Sequence, residues 1–408
     1  MHPAPAERRG ATARVDGIDL ARFVALAGMM LTHTWIFTPD YLEPAPSAAI
    51  SGKAAALFAV LAGVGIAFTS RRALARGDRR TAAGNLLGRG LALVLIGLTL
   101  GLVSPIILVI LVYYGVMFWL VIPLLRLGPR ALLAGAVLWM LAWPFAAFAL
   151  GEALGAPPPV SSPTWFSLAD PAALVRNVLL DGAYPALTWL AYPVVGLALG
   201  RWLLRARDEG PDAVRRLGAL ALVGGGLVAL VAWGGAALAA RAGGAARLGA
   251  ELGLTREEAL ALLHDGPGSN PFEHVLQLLT TAGHTGAPPD LLITAGLATA
   301  VIGAGLLAGL ELGPRMRALL GPVLGAGGAP LTVYSAHVLA FAPGALLAFG
   351  PAMATGEPLP WWLSSPWLWL VHVAGALVLG ALLRWSGQRG PLEQLVTASG
   401  RLAAPPRA

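Results

Sequence analysis

Leu86-Leu87-Gly88-Arg89-Gly90-Leu91-Ala92-Leu93-Val94-Leu95-Ile96-Gly97-Leu98-Thr99-Leu100-Gly101-Leu102-Val103-Ser104 is followed at once by Pro105 and by a second uncharged run that lasts until Arg126. A stretch of roughly 18 largely uncharged apolar residues is long enough to cross a bilayer as an α-helix. Both runs meet that length. The Ser104-Pro105 step leaves room only for a very short turn between them, so the pair reads as two successive membrane helices.

Runs of the same kind recur in both directions, at 18–37, 53–70, 131–150, 184–203, 216–239, 290–310, 328–349 and 362–384. With 86–104 and 106–125 they predict an all-α polytopic membrane bundle of about ten helices. Only 12% of the 408 residues are charged, about half the ~25% of a soluble domain. Mean hydropathy is +0.71. Cysteine is absent, which excludes disulfides, thiolate metal sites and a cysteine nucleophile. The pI near 10.5 does not point to nucleic acid, because the arginines are spread over short inter-helix segments instead of forming one basic domain.

Charge sets the orientation. With the N-terminus inside, 22 of the 28 Lys and Arg residues lie on inner segments and 5 on outer ones; Arg22 lies within the first span. Such a split follows the positive-inside rule and places both termini in the cytoplasm, in a cytoplasmic (inner) membrane. The expected organisation is a cytoplasmic N-terminal tail (1–17), one transmembrane domain (18–384) and a cytoplasmic C-terminal tail (385–408). The first apolar run lacks a small-residue cleavage site and reads as a membrane helix, not a removable leader. Two outer segments are longer than turns, 151–183 and 240–289. In the second, Thr255-Arg256-Glu257-Glu258 has the form of a capping box that opens a short helix through His264, and Gly266-Pro267-Gly268-Ser269-Asn270-Pro271 stops it.

Ionisable groups are costly within a bilayer, so those that interrupt the apolar runs are the candidate functional residues. The first span carries Asp19, Arg22 and His33. Arg22 and His33 are eleven residues apart, about three turns and ~16 Å, and so share a helix face. Asp19 is placed to pair with Arg22. Either these groups face a cavity, or Arg22 snorkels to headgroups while His33 bonds a neighbour at the helix end. Tyr334 and His337 share a face of the ninth span: they either line a tunnel opposite the first span or bond between helices. Gly325 to Pro330 reads as a flexible entry to that span. Asn85 and Arg89, with Arg71, Arg72, Arg79 and Arg80, either attract phosphates or contact lipid headgroups. His264, His274 and His284, with Asp265 and Glu273, match no metal-binding spacing, and no metal is expected; an acceptor-binding lid or a solvated loop fits them better. His372 reads as a lone polar residue of the tenth span, packed with a satisfied hydrogen bond, and Glu311 as a partner of Arg315. No phosphate-binding loop, Gly-x-Ser-x-Gly elbow or His-Glu-x-x-His motif is present.

The Asp19, Arg22, His33 pattern resembles the opening of the multi-pass acyltransferases that O-acylate bacterial surface glycans. Gly17-Ile18-Asp19-Leu20-Ala21-Arg22 with Ala27-Gly28-Met29-Met30 resembles the heparan-alpha-glucosaminide N-acetyltransferase catalytic domain and its bacterial membrane relatives. Ser51 to Gly63, Tyr184 to Leu190 and Leu331 to His337 fit those relatives in the same order. The resemblance implies an enzyme that moves an acyl group, most simply acetyl, from cytoplasmic acyl-CoA to an outward-facing envelope sugar or lipid-linked glycan. It implies His33 as general base or acyl relay, and Arg22 as a ligand of the donor, oriented by Asp19. Arg89, Tyr334 and His337 complete the expected donor and acceptor path. The heparan-type enzymes carry a histidine in the outer loop before the second span; residues 38–53 contain none, so either His33 takes that role, as in the surface-glycan acyltransferases, or the chain has lost activity. The resemblance implies acetyl-CoA as co-substrate; the bilayer is the expected surrounding partner, and a homodimer stays open. Two other readings stay open at this point: a transporter or flippase, and a non-catalytic component of an envelope complex.

Overall fold

The computed structural model describes residues 15–35, 50–104, 107–156, 160–265, 272–355, 360–363 and 365–405. The N-terminal tail before Val15, Pro105 in the short turn, and the Gly266–Pro271 stop signal lie outside the described residues. The described chain contains helices and no strand.

Among the described residues, seventeen α-helices follow one another. They are α1 (Asp16–Thr34), α2 (Lys53–Ala75), α3 (Arg79–Val103), α4 (Leu111–Val121), α5 (Pro129–Leu154), α6 (Pro171–Arg176), α7 (Ala186–Trp189), α8 (Ala191–Glu209) and α9 (Pro211–Ala239). The rest are α10 (Ala245–Leu252), α11 (Arg256–Asp265), α12 (Pro288–Leu310), α13 (Pro314–Leu319), α14 (Gly321–Gly327), α15 (Pro330–Thr355), α16 (Pro366–Trp385) and α17 (Pro391–Ala403). Eight of the described helical stretches are long and apolar enough to cross a bilayer. The other two of the ten expected segments are α1, which carries Asp16, Asp19 and Arg22, and the shorter Leu111–Arg126 stretch built on α4. Apolar side chains on the outer faces of α5, α9 and α16, such as Leu138, Leu220 and Val371, are exposed, as lipid contact requires.

Close helix packing without a hydrophobic driving force depends on small residues at the crossings. Helices α2 and α8 cross where Gly63, Gly196 and Gly200 face each other's backbone; a Cβ on Gly196 would overlap the Val60 carbonyl. Gly225 of α9 meets Gly296 of α12, and Gly325 of α14 meets Gly380 of α16. The Gly325–Pro330 run is therefore not a flexible entry. Its first part is a buried helical turn packed between α1 and α16, because only glycine allows the two backbones to approach so closely.

Two local expectations change. Residues 184–190 do not continue into one regular span: the short α7 precedes α8, with Leu190 at the join. Within the C-terminal segment, α17 packs along α3 through Gly84 and Gly88. Glu311 pairs with Arg215 at 2.7 Å instead of with Arg315. Helix α12 ends at Leu310 and Gly313-Pro314 starts α13, so the i,i+4 geometry between Glu311 and Arg315 is never formed. The capping box matches expectation: Thr255 N–H donates to Glu258 Oε2 at 2.7 Å, Glu258 N–H donates to Thr255 Oγ1 at 3.2 Å, and α11 runs to Asp265.

Candidate functional site

Helix α1 places its polar side chains at two levels. Near its start, Arg22 Nη1 donates to Asp19 Oδ1 at 3.0 Å; Asp19 is buried and Arg22 partly exposed. The carboxylate thus fixes the guanidinium without lining the space that it faces. That space is an inner cavity of about 290 Å³, which Arg22 shares with Arg89, Glu393, Thr397, Tyr114 and Tyr334 within otherwise largely apolar walls. Asn85 Oδ1 accepts from Arg89 Nε at 2.8 Å, which holds the second guanidinium at the same place. Helix α17 closes this end. Its Glu393 accepts from the backbone of Leu331 at 2.7 Å and from Thr332 Oγ1 at 2.5 Å, capping the start of α15.

Met29 lies seven residues, about 10 Å, farther along α1 than Arg22. With Ile110 and Tyr334 it borders both the inner cavity and a second, outer one. The outer cavity measures about 20 Å³, enough for about one water molecule. Its polar walls are Thr32, His33, Tyr184, His284 and Tyr334. Arg22 and His33 therefore face two spaces that share walls along one stripe of α1.

His33 is tied into a row of imidazoles. Its Nδ1 is 3.0 Å from His337 Nε2, and His337 Nδ1 is 3.0 Å from His372 Nδ1. The His33 and His337 rings stack, 9° from parallel. One hydrogen lies on each of these bonds, so the tautomers of the row are coupled. When His33 Nδ1–H donates to His337, His33 Nε2 keeps a free lone pair. Helix α16 is locked beside α1 by Trp369 Nε1–H, which donates to the Ala27 carbonyl at 2.9 Å, and by Ser365 N–H, which donates to the Thr34 carbonyl at 3.0 Å. His372 thus has the hydrogen bond expected of it, and that bond makes it the end of this row.

His284 reaches the outer cavity from the segment before α12. It is the one described non-glycine residue with a positive φ, 65°, a conformation that costs energy and needs surrounding structure to hold it. Asp290 supplies part of that hold: its Oδ2 accepts from Thr285 N–H at 3.1 Å, Gly286 N–H at 3.0 Å and Thr285 Oγ1 at 3.3 Å. The imidazole packs against Tyr184 and Trp189, with ring centroids 5.5 Å and 5.9 Å away. It rests on Gly52 at the head of α2, where a Cβ would come within 3.3 Å of the ring. Burial, and then the charge of Lys53, push its pKa down from 6.5 to about 4, so the ring is neutral at physiological pH.

The expected residues divide as follows. Arg22, Arg89 and Tyr334 line the inner cavity, and His33 and Tyr334 the outer one. Asp19 supports Arg22, and His337 forms the interhelical bond that was its alternative reading. The three loop histidines do not converge: His264 is exposed on α11, His274 caps a short turn by accepting from Leu276 N–H at 3.1 Å, and His284 lies inside. Among the described residues no group of His, Asp and Glu side chains is arranged to hold a metal ion. Tyr114 and Glu393 are not among the residues expected from sequence; Tyr184 enters there only as the start of a matching segment, and His284 only as part of an acceptor-binding lid or a solvated loop. The one local signal was Gly283-His284-Thr285-Gly286, a histidine held between glycines just ahead of a span.

Residues 14–229 match the family model described as heparan-alpha-glucosaminide N-acetyltransferase, catalytic. The match runs from the start of α1 into α9. No curated protein and no solved structure matches the chain.

Proposed function

The chain belongs to the heparan-alpha-glucosaminide N-acetyltransferase catalytic family, and from that premise we propose that it transfers an acyl group, most simply acetyl, from cytoplasmic acyl-CoA to an outward-facing envelope sugar or lipid-linked glycan. The observation that carries this reading is the stripe of α1. It presents a guanidinium to the inner cavity and an imidazole to the outer one, with shared walls between them.

Each part has a chemical task. Arg22 and Arg89 are multidentate donors suited to the phosphates of CoA. The apolar wall of Phe58, Leu61 and Phe118 suits the uncharged arm that joins those phosphates to the thioester. The thioester then lies near Met29, beneath His33. The acceptor hydroxyl or amine enters from outside, between His33 and His284. His33 Nε2 takes its proton as the oxygen or nitrogen bonds to the acyl carbon, and the C–S bond breaks. The thiolate leaves toward the inner cavity and takes a proton from solvent there. His33 passes its proton outward, and the bond to His337 holds the ring in one orientation throughout. His284, neutral at physiological pH, accepts a hydrogen bond from the acceptor and orients it.

The test is incubation of the purified protein with radiolabelled acetyl-CoA and glycan acceptors, reading free CoA and label transfer. Release of CoA that is lost in His33→Ala supports the proposal. Unchanged release in that variant removes His33 from the chemistry, and absence of CoA binding moves the weight to transport.

A further inference from the structure

A further cavity lies away from α1. It is a groove of about 930 Å³ between α5 and α9, floored by α8 and α12 and open toward the lipid. At one end stand Arg130, Arg205 and Arg216, with Glu209 the only acidic residue in its wall. The three arginines are exposed, and none of them forms an ion pair among the described residues. Beyond them the walls are almost wholly apolar. From Arg130 to Met140 on α5 is ten residues, about 15 Å; from Arg216 to Val228 on α9 is twelve, about 18 Å. One leaflet of a ~30 Å hydrocarbon core is about 15 Å thick. The groove thus has the charge of an inner headgroup layer at one end and the depth of one leaflet beneath it.

We propose that this groove is a binding site for one anionic phospholipid of the cytoplasmic leaflet, its phosphate held by Arg130, Arg205 and Arg216 and an acyl chain laid between α5 and α9. The chemistry is that of basic pockets between membrane helices, where each arginine near the headgroup contributes about tenfold or less in affinity. The site is separate from the cavities along α1 and does not depend on the transfer reaction.

Gly224 supplies a clean way to fill it. It lines the groove, and a Cβ there meets nothing within 4 Å, whereas the neighbouring Gly225 is packed on Gly296. The experiment is native mass spectrometry of the purified full chain in detergent, titrated with phosphatidylglycerol or phosphatidylcholine. The wild-type protein should retain one phosphatidylglycerol in preference to phosphatidylcholine. R130Q/R205Q/R216Q should weaken that retention by about a hundredfold. G224F should remove it by occupying the groove, while R76Q/R79Q/R80Q, on a different basic segment, should leave it intact. Equal retention of the two lipids by the wild-type protein would overturn the proposal, as would undiminished phosphatidylglycerol retention in the triple variant.

Discussion

The inner and outer cavities share Met29, Ile110 and Tyr334, yet they are built from different chemistry and to different scales. The inner one, about 290 Å³, presents two guanidiniums on long apolar walls. The outer one, about 20 Å³, presents imidazoles and hydroxyls around the space of one water. The planar guanidinium pairs with phosphate and carboxylate anions, and imidazole handles protons near neutral pH. Under the proposed function, a long anionic donor would lie below the shared residues and a single attacking group above them. Substitutions in the two cavities should accordingly fail in different ways: below, in donor binding; above, in turnover.

The largest expected effect is in the outer cavity. His33→Gln should lower kcat for acyl transfer by about 10²–10⁴-fold, the usual contribution of a general base, with little change in acetyl-CoA affinity. Stopped-flow CoA release and equilibrium binding separate the two quantities; a lost affinity with an unchanged kcat would reverse the assignment of the cavities.

His284→Gln should follow, with about a hundredfold loss of acceptor-dependent turnover. It also has a signature in pH. Its pKa is lowered to about 4 by burial and by Lys53, so the neutral ring persists on acidification and protonates only near pH 4, not 6.5. Its contribution to kcat/KM should thus be full above pH 5 and fall through about pH 4. Comparing the wild-type and His284→Gln profiles isolates that limb; a wild-type loss centred on pH 6.5 that disappears in the variant would mean that the ring is solvated.

In the inner cavity, Arg22→Gln should raise KM for acetyl-CoA by about ten- to a hundredfold, from a charged hydrogen bond of roughly 1.5–3 kcal/mol, with kcat nearly kept. Loss of CoA affinity measured by calorimetry checks it. Tyr334→Phe, at the shared wall, keeps the ring and removes one hydroxyl. It should change donor affinity by about two- to twelvefold, since a neutral hydrogen bond contributes only about 0.5–1.5 kcal/mol.

The two cavities were not equally legible in the sequence. Hydropathy and the Lys/Arg split read the helices, because the bilayer imposes a length and a charge rule on each segment separately. The helical period placed Arg22 and His33 on one stripe, and the spacing of Asp19 gave the ion pair. These are contacts within one helix. His284 meets Gly52 through an approach between segments far apart in the chain, and nothing in the local pattern encodes it. The same holds for Glu393, which caps α15 from the C-terminal segment, and for Arg215, which takes Glu311 from its neighbour four residues on. Gly325 and Gly327 read as flexible for the same reason: a glycine that permits close packing and one that permits motion look alike until the partner helix is placed.

The division of donor from acceptor across the membrane can be measured in proteoliposomes of fixed orientation, with radiolabelled acetyl-CoA on one side and a membrane-impermeant glycan acceptor on the other. Labelled acceptor should accumulate when acetyl-CoA is on the side of Arg22 and the acceptor on the side of His33, and not in the reverse arrangement. Transfer that requires both substrates on the same side would contradict the account.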